Sequence, residues 1–107
     1  MKKDNVIKKL TKEGYEIVYK RIAYWDNVPC VKIIKDNGVS FLALESYIVN
    51  NKYNNFTIDY LTNTTYKEIK DKINYIKNSN LGYEDYYYIN IIIYDNRGKK
   101  KIIREGF

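Results

Sequence analysis

The stretch from Tyr86 to Ile103 constrains this chain more than any other. Tyr86-Tyr87-Tyr88-Ile89-Asn90-Ile91-Ile92-Ile93-Tyr94 is a run of β-branched and aromatic residues. Asp95-Asn96-Arg97-Gly98 supplies turn chemistry, and Lys99 to Ile103 offers a returning strand, so the stretch reads as a β-hairpin. Side chains alternate across a strand, which puts Tyr87, Ile89, Ile91 and Ile93 on one face, the face expected in the core. Tyr86, Tyr88, Asn90, Ile92 and Tyr94 fall on the other, an aromatic and polar face suited to binding.

The rest of the chain supplies partners for that hairpin. Residues 4 to 13 read as an amphipathic helix, capped by Asp4, with Val6, Ile7 and Leu10 as the apolar stripe and Gly14 at the exit. Tyr15 to Trp25 carries apolar residues on both parities, which predicts a central strand. Asp26-Asn27-Val28-Pro29 reads as a turn, Cys30 to Lys35 as a second strand, and Asp36-Asn37-Gly38 as a hairpin turn. Val39 to Val49 returns as a long third strand, and the Asn-rich segment 50 to 55 reads as a connection. Phe56 to Leu61 is compatible with strand or helix, with strand preferred.

Thr65-Tyr66-Lys67-Glu68 matches the T-x-x-E capping box, in which hydroxyl and carboxylate each satisfy a free backbone N–H. The helix it opens is expected to reach about Asn78, with Tyr66, Ile69, Ile73 and Ile76 as the core stripe and Lys67, Lys70, Asp71 and Lys77 largely outside it. The resulting order, α-β-β-β-(β)-α-β-β, predicts an α+β domain: an antiparallel sheet with both helices on one face. No repeat, linker or domain boundary interrupts residues 1 to 107, so one domain is expected.

Composition then excludes several chemistries. The chain has no His and a single Cys, Cys30, which removes Ser-His and Cys-His nucleophile pairs, His- or Cys-rich zinc sites and any internal disulfide. Cys30 is expected to be a buried, hydrophobe-like residue. The carboxylates fall at caps and turns, or, for Glu84 and Asp85, on opposite strand faces. No phosphate-binding glycine loop is present. No enzyme, metal or cofactor is therefore expected. No apolar run approaches the roughly 18 to 20 residues of a membrane span, so the bacterial host cytoplasm is the expected location. Lys, Ile, Asn and Tyr supply 58 of 107 residues, the signature of an AT-rich genome.

A net charge of +6 favours a partner that carries negative charge. Two sets of binding residues follow. Tyr83, Glu84, Asp85, Tyr86 and Tyr88, with Asp36 and Asn37, form a candidate protein-binding surface, because Tyr gives large contact area at low entropic cost. Arg97, Lys99, Lys100, Lys101 and Arg104 follow the tyrosine-bearing strand and form a candidate nucleic-acid surface, combining stacking with phosphate contact.

Asn5-Val6-Ile7-Lys8-Lys9-Leu10, the strand entry at Tyr15, the turn Asp36-Asn37-Gly38 and Glu45-Ser46 lie at spacings that match one known family without gaps. Over residues 1 to 46 the chain resembles the small phage anti-CRISPR proteins of the Cas9-inhibitor type from Listeria prophages. The resemblance implies a helix packed on a three-stranded sheet that binds a Cas nuclease without catalysis. In that family acidic residues imitate DNA. Here Gly14, Asn37 and Ser40 occupy the corresponding neighbourhoods, Asp36 alone remains nearby, and the net charge is reversed. A basic inhibitor of this kind would engage guide RNA, DNA or an acidic protein surface.

The expected function is thus a non-enzymatic phage or mobile-element protein that blocks a host defence complex such as CRISPR-Cas, with a Cas nuclease or another defence effector as partner. The alternatives are a toxin ribonuclease of the RelE type, using Tyr94, Arg97 and Arg104, and a single-stranded nucleic-acid-binding protein.

Overall fold

The computed structural model describes residues 3–22, 25–36, 38–50, 55–59, 64–79, 85–89, 91–94 and 100–103. Helix α1, Lys3–Lys12, buries Val6 and Leu10 and leaves Asp4, Asn5, Lys8, Lys9 and Lys12 outside. It ends in a Schellman turn. Gly14 N–H donates to Thr11 C=O and Tyr15 N–H to Leu10 C=O, each at 3.0 Å. Gly14 adopts φ +96°, the left-handed conformation that this turn needs and that glycine reaches without penalty.

Strands β1, Glu16–Ile22, β2, Trp25–Lys35, and β3, Gly38–Ala43, form an antiparallel meander. Two expectations are corrected here. The chain reverses between Ile22 and Trp25, and Asp26 to Pro29 belong to β2. Opposite Arg21 the register slips, with Asn27 at φ 55°, so the Asp-Asn pair that resembles a turn makes a bulge inside a strand. Pro29 lacks a donor, but the β2–β3 ladder ends at the Cys30–Ala43 pair beside it, and its carbonyl still accepts from Leu44 N–H at 2.9 Å. Secondly, β1 lies at the edge of the sheet and β2 in the middle. Apolar residues on both faces of β1 report two covered faces, not two strand neighbours.

The third strand bends at Leu44 and Glu45 and continues as β4, Ser46–Asn50, which pairs antiparallel with β5, Asn55–Asp59. Segment 55–59 is thus a strand. Helix α2, Tyr66–Asn78, follows, with Thr65 at its N-cap accepting from Glu68 N–H at 3.2 Å, the first half of the expected capping box.

The tyrosine-isoleucine run is two strands, β6, Asp85–Tyr88, and β7, Ile91–Tyr94, and β7 pairs antiparallel with β8, Lys100–Ile103. The hairpin is present as expected. However, β6 runs parallel to β3 and β7 parallel to β4, so the two sheets, β1-β2-β3-β6 and β5-β4-β7-β8, are mixed rather than wholly antiparallel. Turn chemistry announces a hairpin, whereas a parallel pair joined through a distant crossover leaves no local mark. Ser40 faces Asp85, an offset of 45, while Tyr47 faces Ile91, an offset of 44. One extra residue therefore lies between Ala43 and Tyr47, which is why both long strands break at the same level.

Both helices cover one face of the first sheet. Val6 and Leu10 of α1 and Ile69, Ile73 and Ile76 of α2 pack on Val31, Ile33, Leu42, Leu44, Tyr87 and Ile89. The opposite face of the sheet gathers Val28, Cys30, Phe41, Ala43 and Tyr88. The α+β class and the placing of both helices on one face agree with the sequence.

Candidate binding surface

The two sets of residues expected to bind partners are held apart. Asp36 is exposed in the turn that precedes β3, and Asp85 opens the parallel β6, so both lie at one end of the first sheet. Lys100 and Lys101 lie on β8, opposite Tyr94 and Ile93. Asp85 belongs to the first sheet and Tyr94 to the second. Tyr86 pairs with Phe41 in the backbone ladder. Tyr83, Glu84, Asn37, Arg97, Lys99 and Arg104 lie outside the described residues.

One expected surface residue is corrected. Tyr88 is only 7% exposed and packs with Phe41 and Ala43 in the second cluster. Its strand face is the outer one only if nothing covers the sheet on that side, a matter that alternation alone does not decide.

The basic surface that the structure does assemble lies on the helices. Lysines exceed acids by three on α1 and by two on α2. Lys67, Lys70 and Lys77 share one flank of α2 through three- and seven-residue spacing. That flank faces the end of α1. Lys70 Nζ lies 2.9 Å from Glu13 Oε2, and the Tyr66 hydroxyl donates to the same oxygen at 2.5 Å. Lys9 Nζ stands 4.0 Å from the centre of the Tyr66 ring, and Lys70 Nζ stands 4.6 Å from that of Tyr15.

The network shifts its own titrations. The Tyr66 hydroxyl, and then Lys70, hold the Glu13 carboxyl below its ordinary range. Burial, and then the bond to Glu13, push the Tyr66 hydroxyl up to about 12. The Lys70 ammonium is raised by its bonds to Tyr15 and Glu13, so it stays charged. A fixed carboxylate thus orients cations and rings along the seam between the helices.

Beside the seam opens a groove of about 290 Å³, walled by Tyr15, Ile34 and Ile73, with Glu16, Lys32 and Lys77 around it. Ile34 is 67% exposed, a large apolar side chain left in water. Lys32 lies 3.7 Å from Glu16. Among the described residues no group of three or more His, Cys, Asp or Glu is placed to hold a metal ion, and no helix is long and apolar enough to cross a membrane.

Sequence reasoning places these lysines outside the core stripe but does not bring them together, because Lys9 and Lys70 are distant in the chain. The spacing of Lys67, Lys70 and Lys77 on one helix is the only signal it contains. Fold and surface together define a small α+β protein with a basic, tyrosine-bearing seam between its helices. No family model matches the chain, and neither curated proteins nor solved structures yield a significant match.

Proposed function

We propose that the chain is a non-enzymatic binding protein of a phage or mobile element that blocks a functional surface of a host defence complex, CRISPR-Cas first among them. The observation that carries the reading is the basic balance of the paired helices, on which lysines exceed acids by three on α1 and by two on α2. A nucleic-acid-targeting complex holds the polyanion to which such a surface is complementary. The resemblance over residues 1 to 46 adds support, since α1 on the β1-β2-β3 meander is the arrangement it implies.

The test is plaque formation by a phage on a host whose CRISPR-Cas system targets it, with and without the chain expressed. Restored plaquing, with the effector retained on the tagged protein, is the expected result. Unchanged plaquing with no effector recovered ends the reading.

The β7–β8 hairpin supports a second reading, a toxin ribonuclease using Tyr94, Arg97 and Arg104, of which Tyr94 on β7 is the one among the described residues. Growth arrest on expression, with cleaved RNA, would replace the inhibitor by the toxin. Normal growth removes the toxin.

A further inference from the structure

The seam and the groove share Tyr15, whose ring takes Lys70 at 4.6 Å and whose residue also walls the groove. Lys77 stands at the groove on the same flank of α2 as Lys67 and Lys70. Lys9 and Lys12, three residues apart on α1, continue the positive charge on the other side of the seam. A track of lysines, in which Lys67 and Lys70 are paired with Asp71 and Glu13, therefore leads into a partly apolar recess flanked by Glu16 and Lys32.

We propose that this seam binds single-stranded nucleic acid, with backbone phosphates on Lys9, Lys12 and Lys77 and one unstacked base in the groove beside Tyr15. The inference rests on the reading above and names the component of the complex that the protein would grip.

Three observations carry it. The cations on the track are lysines, point charges that neutralise phosphates without the forked geometry that reads a base edge, so contact independent of sequence is expected. Lys67 to Lys77 spans about 15 Å of helix, the reach of a few nucleotides. The recess is partly apolar and open, and only a single strand presents an unstacked base to fill it. An acidic protein fits less well. Protein interfaces are depleted in Lys, the residue that supplies every cation of the seam.

The test is fluorescence anisotropy of the whole protein with a labelled 12-nucleotide uridine strand and with a 12-base-pair duplex, from 50 to 200 mM salt. Three double variants accompany it, each reversing two charges. Lys12→Glu with Lys77→Glu alters the seam, Arg21→Glu with Lys72→Glu alters two positions outside it, the exposed Arg21 and the half-buried Lys72, and Lys100→Glu with Lys101→Glu alters the hairpin. Thermal melting checks that each keeps its fold.

The strand is expected to bind more tightly than the duplex. The seam pair should lose at least tenfold in affinity, and its log-log salt slope should become shallower by about 1.4, at about 0.7 per phosphate contact. The other two pairs should lose less than threefold. Equal losses for all three pairs, loss with the hairpin pair alone, or a duplex bound as tightly as the strand would overturn the proposal. Phage protection that persists without any affinity for the oligonucleotide sinks the seam and spares the inhibitor; oligonucleotide binding at the seam without protection does the reverse.

Discussion

Lys3 Nζ and Glu45 Oε1 meet at 2.9 Å across 42 residues of chain, tying the start of α1 to the bend between β3 and β4. Glu45 is only 7% exposed, at the point where the long strand carries its extra residue. Removing Lys3 leaves that carboxylate without the cation that compensates its burial. Lys3→Ala should therefore lower stability by about 2 kcal/mol in urea titration. Lys67→Ala should leave stability almost unchanged, because the Lys67–Asp71 pair is solvent-screened, with side chains 85% and 61% exposed. Equal losses would show that the buried pair is not what fixes α1.

The Schellman turn gives a second prediction. A Cβ at position 14 would meet nothing within 4 Å, so Gly14→Ala introduces no clash. The cost should come only from the left-handed backbone, φ +96° there, and amount to about 1 kcal/mol. A neutral result would mean that α1 ends in another conformation.

Glu13 makes stability fall in acid. Its carboxyl is held below the ordinary value of 4.5 by Tyr66 and then Lys70, so the folded state favours the charged form. The contribution is present above that value and lost as the pH falls through the lower folded value. The stability difference between wild type and Glu13→Gln should be largest near neutrality and shrink below about pH 4. Tyr66 has the opposite sign. Its pKa is raised from 10.0 to about 12, so its share is complete below pH 10 and disappears as the pH rises towards 12. Tyr66→Phe should flatten that alkaline limb. A gap that stays constant for either variant would refute the network.

Cys30 should be chemically silent. Burial pushes its thiol up to about 12, against the opposing effect of Lys20, and its Sγ–H points to Val28 C=O at 3.5 Å. Since the thiolate is the reactive species, a disulfide reagent at pH 8 should modify the native protein only as fast as it unfolds, and the urea-unfolded protein within seconds to minutes. Rapid labelling of the native protein would show that the second face of the sheet opens.

Where a feature is written within about a dozen neighbouring residues, it was legible in advance. Thr65 and Glu68 mark the start of α2, Gly14 the end of α1, and Asp36-Asn37-Gly38 the β2–β3 hairpin, since caps and tight turns depend on local hydrogen bonds and backbone freedom. The misread places depend on distant partners. Pro29 sits within a strand because the neighbouring ladder ends beside it, and Tyr88 is buried because its face of the sheet is covered. The candidate surface divides in the same way. Asp36 is exposed as its turn requires, while the seam could not be read from lysines scattered between positions 9 and 77.

By itself the sequence determined the element types, the helix stripes, the β2–β3 and β7–β8 hairpins and the charge, because period, cap and turn chemistry act over one or two turns of chain. Only the tertiary structure decided that β3 and β4 run parallel to β6 and β7, that one extra residue breaks them together, and that Glu13 gathers Lys70 and Tyr66 into one seam. The physical reason is common to all three: each contact closes a loop of more than forty residues, so it is selected by the packing of a whole face and leaves no trace in its neighbours.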